Sequence, residues 1–239
     1  MSLIIYNGSP RGKSSNSKII SEWFLDGYGT DETETRFIHN GKNNMSYASE
    51  MSNYDQVLMV FPLYVDGMPG QVKHFFECLS NYKNQLKDKQ ITYIIHSGFS
   101  DGIQSRTLEK YLNRFSNIMG FNNSGVIIIP GSEGFRLMPP SMTKNKRIVV
   151  SRLGKNYKMN KSYANEDIKF LYGKDKSSAF GKFFLRILNL FGLTNMYWNS
   201  RLKKNNAKKN VYDAPYQDNP TPITTTAYIE NFKESNRRT

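Results

Sequence analysis

The sequence predicts an α/β fold with a C-terminal helical extension, in which a five-stranded parallel sheet is doubly wound, so that helices cover both of its faces. Short, continuous apolar runs alternate with longer amphipathic stretches along the first 150 residues. Such runs are typical of strands that are buried on both faces of a parallel sheet. Three loops of unusual composition, at residues 8–17, 62–70 and 97–102, each follow one of these runs. Because ligands bind at the carboxyl ends of strands in such sheets, the loops predict a binding site at that edge.

The first strand and the loop after it carry the clearest ligand signal. The strand is predicted at residues 3–6 and an amphipathic helix at residues 18–28. The loop between them is rich in Gly, Ser and Asn and contains two cations, Arg11 and Lys13. Backbone N–H groups converge at such a helix start, and the helix dipole favours negative charge there, so the loop predicts a phosphate site. An ordinary strand-to-helix turn capped by Ser and Asn is the alternative.

The loop carries no known nucleotide fingerprint. The pattern Gly-x-Gly-x-x-Gly is absent, which argues against a dinucleotide-binding Rossmann site. Gly8 and Gly12-Lys13-Ser14 resemble a P-loop, but their spacing is one residue too short. From its residues alone, the loop therefore predicts a phosphate-bearing ligand and does not identify it.

The rest of the α/β pattern continues the alternation of strands and helices. Further strands are predicted at residues 33–38, 56–61, 91–96 and 126–129. Further helices are predicted at residues 69–82, 103–119 and 141–153. Pro69 suits the first turn of its helix, and Gly120 is expected to end the next one. Residues 40–53 are polar and are interpreted as a loop with one short helix.

Positive charge is concentrated towards the C-terminus. The net charge is +13, but residues 1–150 carry 16 Lys and Arg against 13 Asp and Glu, whereas residues 151–239 carry 17 against 7. We predict a ligand-binding domain at residues 1–176 and a basic helical extension at residues 177–239. A solvated basic face explains this charge better than an anionic partner does.

The extension is predicted to contain a very apolar helix at residues 180–191 and a short helix at residues 194–204. An apolar helix beside Lys and Arg can lie on an anionic membrane, but packing on the core or on a dimer partner is the favoured interpretation. No nucleic-acid partner is expected, because aromatic residues do not alternate with the basic run. The chain enters its first strand directly, and no apolar run is long enough to span a bilayer, which favours a cytoplasmic location.

The only cysteine, Cys78, limits the metal and redox chemistry of the chain. One cysteine excludes an internal disulfide, a Cys-based zinc site and a cysteine-ligated cluster, and no metal site is predicted. Cys78 lies on the apolar face of the helix at residues 69–82, which predicts a buried structural thiol.

Two of the loops resemble those of a known family. Residues 8–17 (GSPRGKSSNS) resemble the phosphate loop of flavodoxin-like NAD(P)H-dependent FMN reductases, and residues 62–73 (PLYVDGMPGQVK) look like the second flavin loop of that family. Residues 96–99 (HSGF) lie where its third loop is expected. The resemblance covers about residues 1–135 and implies a flavodoxin-like fold. Iron–sulfur relatives have a cysteine cluster that residues 40–54 lack, so no such cluster is expected.

The resemblance implies that FMN binds along these loops. The residues implied to hold its phosphate are Ser9, Arg11, Ser15, Asn16 and Ser17. The isoalloxazine ring is implied to lie against Pro62, Leu63, Tyr64, Val65 and Asp66. The far side of the ring is implied to be closed by Ser97, Gly98 and Phe99.

The resemblance also implies an activity, in which bound FMN carries hydride from NAD(P)H to a small-molecule acceptor such as a quinone or a flavin, usually in a homodimer. No catalytic residue is assigned, because the flavin itself performs the chemistry. Tyr64 is either a lid or a packing residue, and His96 is interpreted as a structural hydrogen-bonding residue. A non-enzymatic electron carrier and a membrane-associated flavoprotein are the alternative functions. The net charge of +13 argues against the carrier, because carriers that dock on basic partners are usually acidic.

Overall fold

A sheet of five parallel strands forms the centre of the fold, in the order β2-β1-β3-β4-β5. The computed structural model describes residues 1–173, 196–207 and 213. The strands are β1 Leu3–Asn7, β2 Thr33–Phe37, β3 Gln56–Pro62, β4 Gln90–His96 and β5 Asn122–Ile129. This topology confirms the five-stranded parallel sheet that the apolar runs predict.

Helices cover both faces of this sheet. Those in the first part of the chain are α1 Asn16–Tyr28, α2 Asn44–Glu50, α3 Gly70–Ser80, α4 Lys83–Leu86, α5 Arg106–Met119, α6 Pro140–Lys158 and α7 Asn165–Tyr172. One apolar core contains Phe75 of α3 and Leu112 of α5. The other contains Phe24 of α1 and Val150 of α6. The doubly wound arrangement is therefore confirmed.

The central strands are continuous apolar runs because each of their faces meets a core. In β1, Ile4 and Tyr6 pack in the core that holds α3 and α5, whereas Leu3 and Ile5 pack in the core that holds α1 and α6. The side chains alternate between the two faces, so every position of the strand needs an apolar residue.

Helices α1 and α6 approach each other closely at two glycines. A Cβ atom on Gly27 would lie 1.8 Å from the backbone oxygen of Ser151, and one on Gly154 would lie 2.0 Å from that of Phe24. Real side chains do not fit at such distances, so both glycines are required by the packing of one helix on the other.

The structure differs from the prediction mainly where polar residues form regular structure. Strand β5 begins four residues earlier than predicted, and its pairing with β4 is irregular beside Ile91 and Thr92. Two short helices, α4 and α7, were not predicted at all. The short helix expected within residues 40–53 is present as α2. Gly120 ends α5 as predicted, and the structure shows it in a left-handed conformation. Cys78 is free and buried, which confirms that prediction.

Backbone contacts divide the chain into two units, Met1–Ser177 and Ser178–Thr239. In the second unit the structure describes helix α8, Met196–Lys204, within the predicted range 194–204. The helix predicted at residues 180–191 lies outside the described residues. Among the residues that are described, no helix combines the length and the hydropathy needed to cross a membrane.

Candidate functional site

The three loops that the sequence singled out lie side by side at the carboxyl edge of the sheet. They follow β1, β3 and β4, which are neighbours in the sheet and run in the same direction. The strand order also changes direction between β1 and β3, because β2 lies on one side of β1 and all later strands lie on the other. Ligands in open α/β sheets bind at such a switch point, so the topology places a candidate site there.

Ser15 organises the first loop as the N-terminal cap of α1. Its Oγ accepts a hydrogen bond from the backbone N–H of Lys18 (3.2 Å) and donates one to the carbonyl of Gly12 (2.6 Å). The side chain of Asn7 supports the loop, since its amide donates to Ser15 Oγ (3.3 Å) and its carbonyl accepts from the N–H of Ser9 (3.0 Å). The capped turn that was the alternative interpretation is therefore part of the structure.

Asn16 and Ser17 direct their side chains into protein contacts. The Asn16 amide donates to the carbonyl of Ser132 at 2.7 Å, and Ser17 Oγ lies 2.7 Å from His96 Nε2. Both residues are buried, as are Ser9 and Ser15. Of the five residues implied to hold phosphate, only Arg11 presents an exposed side chain.

The first loop nevertheless offers a strongly anion-attracting surface. Arg11 and Lys13 are both exposed, and no acidic residue occurs from Gly8 until Glu22. The first N–H groups of α1 have no carbonyl partner within the helix, and the positive end of the helix dipole lies there. Cations and free N–H groups on a loop that has no carboxylate of its own fit a phosphate group.

The second loop is a tight hairpin whose tip is exposed. The backbone N–H of Tyr64 donates to the carbonyl of Gly67 (2.9 Å), and the N–H of Gly67 donates to the carbonyl of Tyr64 (3.0 Å). Between them Val65 and Asp66 have φ angles of 47° and 60°, the combination found in a type I′ turn. Val65 is 97% exposed and Tyr64 is 45% exposed.

Pro62 and Leu63 differ from the rest of this loop, because both are buried. Pro62 closes β3, and the backbone N–H of Leu63 donates to the carbonyl of His96 at 2.8 Å. Of the five residues implied to contact the ring, the structure therefore exposes Tyr64, Val65 and Asp66 at the candidate site. It buries Pro62 and Leu63.

The third loop also divides into a buried and an exposed part. Ser97 is buried and its carbonyl accepts from the N–H of Ser132 (2.8 Å), whereas Gly98 is exposed and Phe99 is 49% exposed. Phe99 and Tyr64 are therefore exposed aromatic side chains on loops that follow adjacent strands. Aromatic side chains in such positions can pack against a flat ring.

His96 lies between the loops as a buried, neutral group. Its Nε2 contacts Ser17 Oγ and its Nδ1 contacts Ser132 Oγ at 2.9 Å. Burial lowers the pKa of His96 to about 3. The prediction that His96 is a structural hydrogen-bonding residue is confirmed.

Ser132 also belongs to the candidate site, although it was not predicted from the sequence. It lies in the loop after β5, and it contacts Asn16, Ser97 and His96. Its loop could have been assigned to the site, because it follows a predicted strand and the carboxyl ends of all parallel strands lie at the same edge of the sheet.

An open cleft of about 810 Å³ lies elsewhere, at the amino edge of the sheet. Its amide side chains bond one another, since Gln56 Nε2 donates to the side-chain oxygens of Gln90 (2.7 Å) and Asn160 (2.9 Å). Among the described residues that line this cleft there is no helix N-terminus with adjacent cations, and we therefore place the candidate site at the carboxyl edge.

Comparison with known proteins identifies the fold family. The profile of the family described as "Flavodoxin-like fold" matches residues 1–153. No protein with a curated description matches the sequence.

Solved structures share this fold at low sequence identity. An NADPH-quinone reductase from P. pentosaceus is 14% identical with a TM-score of 0.54, over 65% of this chain and 99% of its own. The Trp repressor binding protein from Bacillus subtilis is 18% identical with a TM-score of 0.52, over 64% and 99%. An FMN-dependent NADH-azoreductase from Bacillus anthracis, in complex with FMN, is 17% identical with a TM-score of 0.50, over 66% and 100%. The profile match over most of the first unit, together with the 2-1-3-4-5 strand order, shows that this chain belongs to the flavodoxin-like fold family, as its loop motifs indicated.

Proposed function

We propose that this protein is an NAD(P)H-dependent oxidoreductase that holds FMN at the carboxyl edge of its sheet and passes reducing equivalents to a small acceptor such as a quinone or a flavin. The observation that carries the proposal is the first loop, which brings Arg11 and Lys13 to the start of α1 and has no acidic residue of its own. The names of the quinone reductase and the azoreductase that share the fold are consistent with it.

The residues present suit FMN in chemistry as well as in position. The phosphate would be held by Arg11, Lys13 and the first backbone N–H groups of α1. The flat ring would pack beside Tyr64 and Phe99, whose exposed side chains exclude water from it. Bound FMN would supply the two-electron chemistry, so the protein needs no acid or base of its own.

We further propose a cytoplasmic homodimer with its ligand-binding domain at residues 1–176. For the basic extension at residues 177–239, the proposed role is packing on the core or on a dimer partner. A pure electron carrier is disfavoured by the net charge of +13.

Steady-state oxidation of NADH and NADPH tests the enzymatic part of the proposal. Protein loaded with FMN should oxidise at least one of them, and added quinone should increase the rate. FMN that remains bound but is never reduced by either nucleotide would identify a carrier instead.

Replacement of Arg11 tests the anion site. Arg11→Gln should weaken FMN binding by about 10- to 100-fold, because a charge-assisted hydrogen bond contributes about 1.5–3 kcal/mol. Binding of riboflavin, which has no phosphate, should be unchanged. Lys18→Gln is the matched control: it removes a cation from the same helix start, but Lys18 already pairs with Glu22. An equal loss of FMN and riboflavin affinity in Arg11→Gln would contradict a phosphate contact.

A further inference from the structure

A continuous chain of hydrogen bonds crosses the interior of the carboxyl edge. Ser17 Oγ lies 2.7 Å from His96 Nε2, and His96 Nδ1 lies 2.9 Å from Ser132 Oγ. Ser132 Oγ in turn lies 3.0 Å from the carbonyl oxygen of Ser97. Each of these four residues is at least 95% buried.

The direction of this chain follows from the single hydrogen atom on each hydroxyl. The carbonyl of Ser97 can only accept, so the hydroxyl of Ser132 donates to it. Ser132 Oγ therefore accepts from His96 Nδ1–H. A neutral imidazole then has its lone pair on Nε2, which accepts the hydroxyl hydrogen of Ser17.

This direction changes the role of Ser17. Its only hydrogen atom is given to His96, so the hydroxyl has none left to donate to a phosphate oxygen. The Asn16 amide is likewise directed to the carbonyl of Ser132. Both side chains join the first turn of α1 to the loop after β5 instead of facing an anion.

We infer that His96 is a positioning residue for the anion site, and that the Ser17–His96–Ser132 chain holds the first turn of α1 so that its backbone N–H groups converge on a phosphate. The inference rests on the proposed FMN site. It states that the buried hydrogen bonds increase the affinity for phosphate although none of their side chains contacts the phosphate. His96 links the end of β4, the start of α1 and the loop after β5. Loss of this link frees the turn to move, and a displaced set of N–H groups binds an anion less tightly.

Two substitutions at position 96 separate positioning from mere packing. The glutamine side chain has a carbonyl that accepts and an NH₂ group that donates, so it can replace the acceptor and donor nitrogens of the neutral imidazole. Leucine has neither group. We expect His96→Leu to lower FMN affinity by about tenfold or more while riboflavin affinity stays nearly constant, because only FMN carries the phosphate. His96→Gln should recover most of the FMN affinity.

The ratio of FMN to riboflavin affinity is the decisive quantity. If the wild-type protein prefers FMN but His96→Leu and Ser132→Ala leave the FMN-to-riboflavin ratio unchanged, the inference about His96 is overturned while the proposed anion site stands. Wild-type protein that binds both flavins equally overturns the anion site itself and the inference with it. Ser132→Ala keeps the test available if His96→Leu does not fold, because it removes only one hydroxyl.

Nitrogen NMR of the protein without flavin tests the same chain independently of ligand binding. Between pH 5 and pH 8, His96 should show a neutral ring protonated on Nδ1. A charged ring, or a neutral ring protonated on Nε2, would contradict the assigned direction and overturn the inference.

Discussion

Val65 has a backbone conformation that its side chain disfavours. Its φ angle of 47° lies in the left-handed region, where a β-branched residue is a rare exception, and it is 97% exposed, so no packing compensates. The turn type normally has Asn or Gly at such positions. Strain of this kind is concentrated at functional sites, and its occurrence beside the proposed flavin ring fits that pattern.

Replacement of Val65 by Asn should therefore stabilise the protein. The left-handed conformation costs a β-branched residue about 1–2 kcal/mol, so Val65→Asn should raise the free energy of unfolding by about 1 kcal/mol in urea denaturation. Asp66→Asn is the control and should change it by less than about 0.5 kcal/mol, because Asp already tolerates this conformation. A Val65→Asn protein no more stable than the wild type would show that the strain is absent.

The buried, neutral state of His96 predicts a loss of stability in acid. In the unfolded chain a histidine binds a proton near pH 6.5, but burial lowers the pKa of His96 to about 3 in the folded protein. The unfolded state therefore binds more protons below pH 6.5, and the free energy of unfolding falls by up to about 1.4 kcal/mol per pH unit as pH decreases towards the folded-state pKa of about 3. Above pH 6.5 this contribution to stability is fully present.

Urea denaturation at pH 7 and pH 5 measures this effect. His96→Gln, which cannot titrate, should lose less stability than the wild type over this interval. If both proteins lose the same free energy of unfolding between pH 7 and pH 5, the pKa of His96 is the same in the folded and unfolded states, which contradicts the prediction.

At the scale of the elements, the strands were predictable where both faces are buried. β1, β3 and β4 are uninterrupted apolar runs because two cores require apolar residues at every position. The first half of β5 escaped prediction, since Asn122, Asn123 and Ser124 have no apolar pattern. Backbone pairing with β4 holds Asn122 and Asn123, and Ser124 is the unpaired residue where the register shifts.

The loops were predictable as a group, but their internal bonding was not. Their location follows from parallel strand direction alone. The contacts of Asn16 and Ser17 with Ser132 and His96 join residues far apart in the sequence, and no local pattern of residues encodes them. This is why the side chains of Asn16 and Ser17, which were implied to bind phosphate, lie in the supporting network.

The close approach of α1 and α6 predicts that a Gly→Ala substitution in α6 destabilises the protein, although such a substitution usually stabilises a helix. In an isolated helix, Gly→Ala is stabilising by about 1 kcal/mol. Here a Cβ atom on Gly154 would lie 2.0 Å from the backbone oxygen of Phe24, and backbone cannot move aside cheaply. Gly154→Ala should therefore lower the free energy of unfolding by about 1–3 kcal/mol or more.

Thermal unfolding followed by circular dichroism measures this difference. Gly70→Ala, at the start of α3, is the matched control, because a Cβ atom there would meet nothing within 4 Å. It should leave the midpoint unchanged or raise it. A Gly154→Ala protein as stable as the Gly70→Ala protein would contradict the close contact.

At the scale of the whole molecule, the fold accounts for one chemically distinctive edge. The strand order brings the loops after β1, β3, β4 and β5 together, and of these the first carries Arg11, Lys13 and the start of α1. The second and third carry exposed aromatic residues, and the loop after β5 supplies Ser132 to the supporting chain. The division of the chain near Ser177 assigns this whole edge to the first unit, while the domain boundary at residue 176 stays a prediction.

An absorption spectrum shows whether this edge binds FMN through its phosphate. Purified protein is mixed with excess FMN, desalted and measured, with riboflavin in a parallel sample. If the first loop binds the phosphate of FMN, the sample with FMN should retain an oxidised-flavin spectrum near one equivalent, and the sample with riboflavin should retain little or none. If neither sample retains flavin, or if both retain it equally, the first loop is not a phosphate site for FMN.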